Sequence, residues 1–458
     1  MLSLSAAAKA LNAEMSGADV TFTSVTSDSR TATAGSLFVA LRGERFDGHD
    51  FVTQVKQQGA VAALVERTDE AWGDFPLLRV ADTCLALGAL AAFWRSRFSI
   101  PVVGLTGSSG KTTVKEMIAA ILRAEVGDAE QVLATQGNLN NAIGMPLTLL
   151  ELRDTHRYAV IEMGMNHPGE ISYLTRISRP DVALITNAQA AHLEGLGSVE
   201  AVAHAKGEIF EGLATNGSAI INADDDYADL WQELAKGHRI LRFGTRQPAD
   251  LTAAYRLQPF GSEIEMTTPQ GACSLNLPVP GEHNVRNALA AAAVAVALGV
   301  SNAVIARGLT LAASVKGRLQ KKAGLHGATL IDDTYNANPG SVRAALAVLA
   351  GLPGKKALVL GDMGELGEGA RALHAEIGAA AKAAGIDRLF TLGDLSAAAA
   401  EAFGPGGRHF EYIEDLLHEV ENQLAPDVTV LVKGSRFMQM ERVVKSFELR
   451  EDQACCSH

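Results

Sequence analysis

Residues 102 to 113 read Val-Val-Gly-Leu-Thr-Gly-Ser-Ser-Gly-Lys-Thr-Thr, a glycine-rich turn that ends in a lysine and two hydroxyls. This is the chemistry of a phosphate-binding loop. Gly107 and Gly110 free the backbone around Ser108 and Ser109 to turn N–H groups toward an anion. Lys111 supplies a point charge for β- and γ-phosphates, and the Thr112 hydroxyl, followed by Thr113, can ligate Mg²⁺.

Such a loop needs a strand before it and a helix after it. Pro101 to Leu105 is a short apolar run with β-branched residues, and Val114, Met117, Ile118 and Ile121 recur at helical spacing. Beyond the loop, Tyr158 to Met163, Val182 to Thr186, Ser218 to Asn222 and Ile240 to Phe243 read as buried strands separated by helices or loops. That alternation predicts a parallel sheet. From Leu251 to Pro280 a polar, weakly alternating stretch predicts antiparallel strands, with a helix from about Asn284. Strands then return near Thr329 to Asp332, Ala357 to Leu360, Arg388 to Leu392 and Val428 to Val432, predicting a second doubly wound unit.

The first 98 residues differ in composition and mix short strands and helices, including a strand-like Ser36 to Leu41. At about 150 residues per domain, a chain of 458 residues predicts about three domains. The expected boundaries are 1–98, 99–313 and 314–458. The fold class is α/β, with mostly parallel sheets and one small antiparallel subdomain.

Composition excludes several function classes. With 47% hydrophobic and 20% charged residues and no apolar run of membrane-spanning length, a soluble protein is expected. The start Met1-Leu2-Ser3-Leu4 has no basic region or cleavable apolar core. Cys84, Cys273, Cys455 and Cys456 form neither a metal-ligand spacing nor a disulfide framework, which fits a reducing cytoplasm. A formal net charge of -12 and a pI near 5.5 argue against nucleic acid as the main partner.

Further candidates lie where strands are expected to end. Glu162 closes an apolar run beside the loop strand, where a nucleotide's Mg²⁺ needs an oxygen ligand. His192 follows the Val182 to Thr186 strand, and Lys206 and Glu208 sit on an expected helix. Spacing alone leaves these three between a shared cleft and ordinary structural or solvated roles. Asn138, Asn140 and Asn141 form a carboxamide cluster that suits either substrate contact or a turn. Asp333, in the run Asp332 to Pro339, suits either a ribose hydroxyl or an Asn-Pro turn.

As a set these motifs resemble the Mur ligases, the ATP-dependent amide-forming enzymes of peptidoglycan assembly. The resemblance covers nearly the whole chain. It runs from Ser27-Asp28-Ser29-Arg30 and Leu37 to Gly43 through the loop, Gly137 to Leu150, Glu162-Met163-Gly164 and Ala191 to Glu194. It continues through Ala205 to Ile209, Gly281 to Asn284 with Asn287, Asp333 to Pro339, Leu360 to Gly367 and Lys433 to Arg436. Leu105, where the longer loop pattern has glycine, is accounted for by the family's shorter Gly-x-x-Gly-Lys-Thr loop. The Asn138 to Asn141, Asp333 to Pro339 and Gly361-Asp362-Met363 motifs are similar to members that take D-Ala-D-Ala as acceptor.

The resemblance implies an N-terminal domain for the UDP end of a UDP-MurNAc-tripeptide, a central ATPase domain and a C-terminal Rossmann-like domain closing over the nucleotide. It implies that Ser29 and Arg30 contact the UDP-sugar, that Asn284 and Asn287 contact adenine, and that Arg318 and Asp333 reach the nucleotide across the domain junction. Asn138, Asn140, Asn141, Tyr335, Asn338, Lys433, Ser435 and Arg436 would line the substrate. Lys206 would be carbamylated and, with Thr112, Glu162 and His192, would hold Mg²⁺, as two ions. The implied enzyme is a monomer. Within the enzyme class the alternatives are another Mur ligase or a folylpolyglutamate synthase-like ligase; outside it, a nucleotide-dependent switch that binds ATP without ligation.

Overall fold

The protein is described here by a computed structural model covering residues 1–312 and 315–449. The expected boundary at residues 313 and 314, and Cys455 and Cys456, lie outside the described residues.

Three α/β units follow one another along the chain. In the first, four strands pair in parallel in the order Ser24–Thr26, Ser36–Val39, Ala62–Val65, Leu77–Arg79, and Glu14–Ser16 closes the far edge antiparallel to Leu77–Arg79. The strand predicted to reach Leu41 stops at Val39. Beyond it the chain turns, and Gly48 N–H donates to the Leu41 carbonyl at 2.8 Å.

The central unit is a fully parallel six-stranded sheet in the order Arg239–Phe243, Ser218–Asn222, Val182–Ile185, Val102–Thr106, Tyr158–Glu162, Val132–Ala134. All five residues of Val102–Thr106 are buried, as expected of a parallel strand covered on both faces. Both neighbours follow it in the chain, but the chain fills one side of it first, with Val132–Ala134 and Tyr158–Glu162, and then crosses to the other side with Val182–Ile185. The order therefore switches at this strand, and a crevice opens at its carboxyl end. Register then fixes the crevice walls: Glu162 pairs with Leu105, and Ile185 with Thr106.

The helix after the loop begins at Lys111, three residues before the apolar spacing, and runs to Val126. Gly110 sets this start, since its φ of 81° is left-handed and turns the chain into the first helical residue. Against the same helix packs Asn302–Thr310, so closely that a Cβ on Gly308 would lie 2.4 Å from Ile121 Cα. The Ala-rich helix Glu282–Ala297 shares this apolar cluster. The predicted antiparallel stretch forms three strands, Thr252–Gln258, Gly261–Thr268 and Gly271–Leu277.

The third unit is a six-stranded sheet in the order Gln320–Ala323, Thr329–Asp333, Val428–Lys433, Lys355–Gly361, Arg388–Leu392, Gly407–Phe410, parallel except for the first strand. Both outer strands were invisible to hydrophobic pattern, as was Val132–Ala134 in the central sheet. Gln320–Ala323 carries two lysines and Gly407–Phe410 an arginine and a histidine, the charged composition of sheet edges. The expected helix through Glu208 breaks instead at Gly207, and Glu208–Gly212 is a 3₁₀ segment.

Helix Ala370–Ala383 meets helix Ala397–Phe403 through Gly378, where a Cβ would fall 2.0 Å from the Ala399 carbonyl oxygen. Backbone cannot yield as a flexible side chain does. Gly378→Ala is therefore expected to destabilise this unit by about 1–3 kcal/mol, read as a lower urea midpoint; an unchanged midpoint would contradict this packing.

Candidate active site

Two residues that follow strand Val182–Ile185 hold the loop open. Asn187 accepts the Ser109 N–H at 3.0 Å through its Oδ1, donates through its Nδ2 to the Ser109 carbonyl at 3.0 Å, and accepts the Ser108 N–H on its own carbonyl at 3.0 Å. Thr186 donates its hydroxyl to the same Ser109 carbonyl at 2.7 Å. The loop shape is thus set by neighbouring side chains. Gly107 faces away from the cleft, against Thr186, whose Oγ1 would lie 1.8 Å from a Cβ there.

Ser108 to Thr113 line one wall of a cleft of about 2230 Å³. Lys111 Nζ reaches back to the Gly107 carbonyl at 2.6 Å. Desolvation lowers this ammonium below the ordinary lysine range, while Glu162 opposes the shift. Glu162 is buried. Its Oε1 accepts from Asn140 Nδ2 at 2.8 Å and its N–H donates to Thr135 Oγ1 at 3.0 Å. Its Oε2 has no partner among the described residues, and neither has the nearby Thr106 hydroxyl. A buried carboxylate oxygen left unpaired is costly, and here it sits beside the phosphate loop.

His192 lines the cleft from the end of the next strand. Its backbone is left-handed, with φ 57°. Its Nδ1 lies 2.7 Å from Glu365 Oε2 of the third unit, off the line of an ideal hydrogen bond. Lys206 does not line the cleft. It is 1% exposed, and burial, reinforced by the charge of Lys111, pushes its amine well below the ordinary lysine range. That shift favours the neutral amine over the ammonium.

The carboxamides divide by role. Asn138 faces the cleft, Asn140 orients Glu162, and Asn141 Oδ1 accepts the Gly144 N–H at 2.9 Å, so it also shapes the turn. Asn284 and Asn287 line the cleft at the start of helix Glu282–Ala297, joined by a 3.0 Å bond. Asn287 abuts the loop: a Cβ on Gly110 would lie 2.7 Å from its Oδ1.

From the third unit, Arg318 and Tyr335 reach the cleft as a stacked pair, the guanidinium 4.3 Å from the ring centroid. Register places Asp333 beside Lys433, and the two form a buried ion pair of 2.6 Å. Asp333 also accepts the Leu319 N–H at 3.2 Å, and Lys433 donates to the Asn336 carbonyl at 2.9 Å. Burial lowers Lys433, and Asp333 opposes that shift. Ser435 is likewise engaged internally, donating to the Ala337 carbonyl and accepting the Gly364 N–H. Arg436 lines the cleft and pairs with Glu441. Asn338 caps helix Pro339–Ala350 and donates to Ser109 Oγ at 3.1 Å, a direct link from the third unit to the loop.

Ser29 and Arg30 are absent from this cleft. Arg30 forms an exposed ion pair with Asp28 in the first unit. Reasoning from sequence missed Asn187, Gln189, Thr135 and Glu365. Asn187 carried a legible signal, a polar residue just past a strand end. Gln189, which accepts from Ser109 Oγ through its side chain at 3.1 Å, and Thr135 carried none. The cleft therefore collects phosphate donors, an unpaired carboxylate oxygen, a histidine and an arginine from two units. It is suited to binding a polyanion with a cation and transferring a phosphoryl group.

Three family models match the chain: "Mur ligase family, catalytic domain" over residues 21–95, "Mur ligase middle domain" over 105–295 and "Mur ligase, glutamate ligase domain" over 317–436. A relative from Escherichia coli (strain K12), UDP-N-acetylmuramoyl-tripeptide--D-alanyl-D-alanine ligase, is 48% identical over 97% of each chain. A MurF crystal structure from Acinetobacter baumannii superposes with a TM-score of 0.90 at 40% identity, covering 96% of this chain and 97% of that one. A MurF ligase from Thermotoga maritima, solved in complex with ADP, gives 0.81 at 29% identity over 92% and 96%.

His283, in the first turn of helix Glu282–Ala297, is pushed down to about 4 by desolvation, with Arg286 and Lys433 adding to the shift. It folds neutral and would titrate near 6.5 when unfolded. The unfolded chain therefore binds more protons between these values, so stability is lost as pH falls through that window. From pH 8 to pH 5 the loss from this group is about 2 kcal/mol. His283→Gln is expected to reduce the shift in urea midpoint over that range; an unaltered shift would contradict the desolvation of this ring at the cleft wall.

Proposed function

The chain belongs to the Mur ligase family, and from that premise we propose that it joins D-Ala-D-Ala to UDP-N-acetylmuramoyl-tripeptide with hydrolysis of ATP to ADP and phosphate. The observation that carries this reading is the single cleft shared by the phosphate loop and Glu162 of the central unit and by Arg318 and Asp333 of the third. The full-length likeness to the Escherichia coli ligase selects the donor and acceptor.

The terminal carboxylate of the tripeptide attacks the γ-phosphorus, forming an acyl phosphate and releasing ADP. The free amine of D-Ala-D-Ala then attacks the acyl carbon. Collapse of the tetrahedral adduct forms the amide, expels phosphate and gives up the amine proton. The protein's part in the first step is positioning and charge neutralisation. Loop amides and Lys111 hold the β- and γ-phosphates, Arg318 approaches from the third unit, and Asn284 and Asn287 hold the adenine. Asp333, oriented by the Lys433 ion pair, would contact the nucleotide from the third unit.

Mg²⁺ fits the residues present. The unpaired Glu162 Oε2 and the buried Thr112 hydroxyl supply hard oxygen ligands next to the phosphate loop. No three His, Cys, Asp or Glu side chains among the described residues form a ready metal cluster, so further ligands must come from elsewhere. A carbamate on Lys206 would supply one. The neutral amine is the form that attacks CO₂, and burial shifts Lys206 toward it; the carbamate formed is an anion where an ammonium would repel the metal. Thr112, Glu162, His192 and carbamylated Lys206 would together hold two Mg²⁺ ions, which when bound neutralise phosphate charge.

The N-terminal region, residues 1–98, would hold the UDP end through Ser29 and Arg30, residues 99–313 the ATP, and residues 314–458 would close over it. Asn138, Asn140, Asn141, Tyr335, Asn338, Ser435 and Arg436 would flank the peptide and the incoming dipeptide, directly or by shaping the loops that do. No helix among the described residues is long and apolar enough to cross a membrane. We place the reaction in the cytoplasm, with the enzyme acting as a monomer.

The test is phosphate release from ATP and Mg²⁺ with UDP-MurNAc-tripeptide, with and without D-Ala-D-Ala. Sustained release needing both, a product heavier by one dipeptide less water, and loss of both in Lys111→Ala are expected; sustained release indifferent to the dipeptide would contradict the acceptor. Lys206→Ala is expected to lose activity by at least about 100-fold, the outer range for a displaced metal ligand shell, with partial recovery in short-chain carboxylates. An unrescued variant together with an unmodified Lys206 in crystals of the active enzyme would remove the carbamate.

A further inference from the structure

The cleft is bridged by a side-chain contact that no catalytic assignment above uses. Glu365 belongs to the third unit, on the loop after strand Lys355–Gly361, and its carboxylate meets His192 of the central unit at 2.7 Å. The backbone repeats the contact, with Glu194 N–H donating to the Glu365 carbonyl at 3.4 Å. Both side chains of the pair stand on left-handed backbone, φ 63° at Glu365 and φ 57° at His192. Residues with a Cβ rarely adopt that conformation, and it persists where surrounding structure enforces it. The Glu365 loop is fixed from behind, since Gly364 N–H donates to Ser435 Oγ at 2.8 Å.

We propose that Glu365 is a positioning residue of the reaction: it fixes the His192 ring from the third unit, so that His192 is set for its ligand only while the two units are docked. A carboxylate 2.7 Å from Nδ1 holds that edge of the ring and leaves Nε2 as the nitrogen available to a metal. Glu365 thus acts through His192 and joins docking of the third unit to completion of the cation site. The inference rests on the reading of His192 as a ligand of the Mg²⁺-nucleotide site.

Calorimetric titration of ADP, with Mg²⁺ and with chelator, tests this on the full-length parent, Glu365→Gln, His192→Ala and the double variant. In chelator all four are expected to bind ADP within about twofold of one another. With Mg²⁺, Glu365→Gln is expected to weaken binding about tenfold, and Glu365→Asp, which keeps the charge, to recover part of that. In the His192→Ala background the same change is expected to cost less than about twofold, because the ring it acts on is gone. Parent-like binding of Mg²⁺-ADP by Glu365→Gln, or equal losses in both backgrounds, would overturn the proposal. A parent that binds no ADP at all would instead overturn the nucleotide reading on which it rests.

Discussion

The site depends on the seating of one strand, Val102–Thr106, between Tyr158–Glu162 and Val182–Ile185. Parallel pairing sends all three carboxyl ends to one edge, and the reversal of strand order there opens the crevice. Register does the rest. It brings Glu162 level with Leu105 and carries Thr186 and Asn187 past Thr106, where they grip Ser109. A one-residue slip in either pair would turn these groups to the opposite face of the sheet. The chemistry of the loop is therefore a consequence of hydrophobic strands that place Glu162 at a carboxyl end beside it.

A second constraint is electrostatic. Lys111, Lys206 and Lys433 are all lowered by burial, yet their surroundings differ. Lys433 has Asp333 at 2.6 Å and Lys111 has Glu162 within reach of its field, whereas Lys206 has a second lysine as its nearest charged influence. Two of these lysines have a carboxylate opposing the shift, whereas at Lys206 burial and the neighbouring charge both push downward. The proposed roles of Lys111 as a phosphate ligand and of Lys206 as a carbamylated amine rest on that difference. The third unit enters the same field through Arg318 and Glu365, with Asn338 bonded to the loop itself.

Much of this was legible in the sequence because it follows from local pattern. The loop with its flanking strand and helix, and Glu162 and His192 at strand ends, are short-range features, and the structure brings them to one cleft with Asn284 and Asn287, which only the resemblance had pointed to. What stayed hidden depends on distant partners. The pairing of Asp333 with Lys433 comes from the register of two strands far apart in sequence; in the sequence Asp333 reads as a ribose contact or a turn residue, and Lys433 enters only through the resemblance. Ser435 likewise proves to be bonded inside its own unit. Gln189 and Thr135 act through folded loops, and the edge strands are too short and charged to stand out from turns. Ser29 and Arg30 lie outside the cleft, on a surface that only a long substrate would join to it.

A crystal structure with Mg²⁺ and a non-hydrolysable ATP analogue tests the central claim most directly. The account predicts β- and γ-phosphates within hydrogen-bonding distance of the loop amides and Lys111, a cation on Glu162 Oε2 and extra density on Lys206 Nζ. Phosphates bound away from the loop, or a Glu162 carboxylate still unpaired with the nucleotide in place, would contradict it.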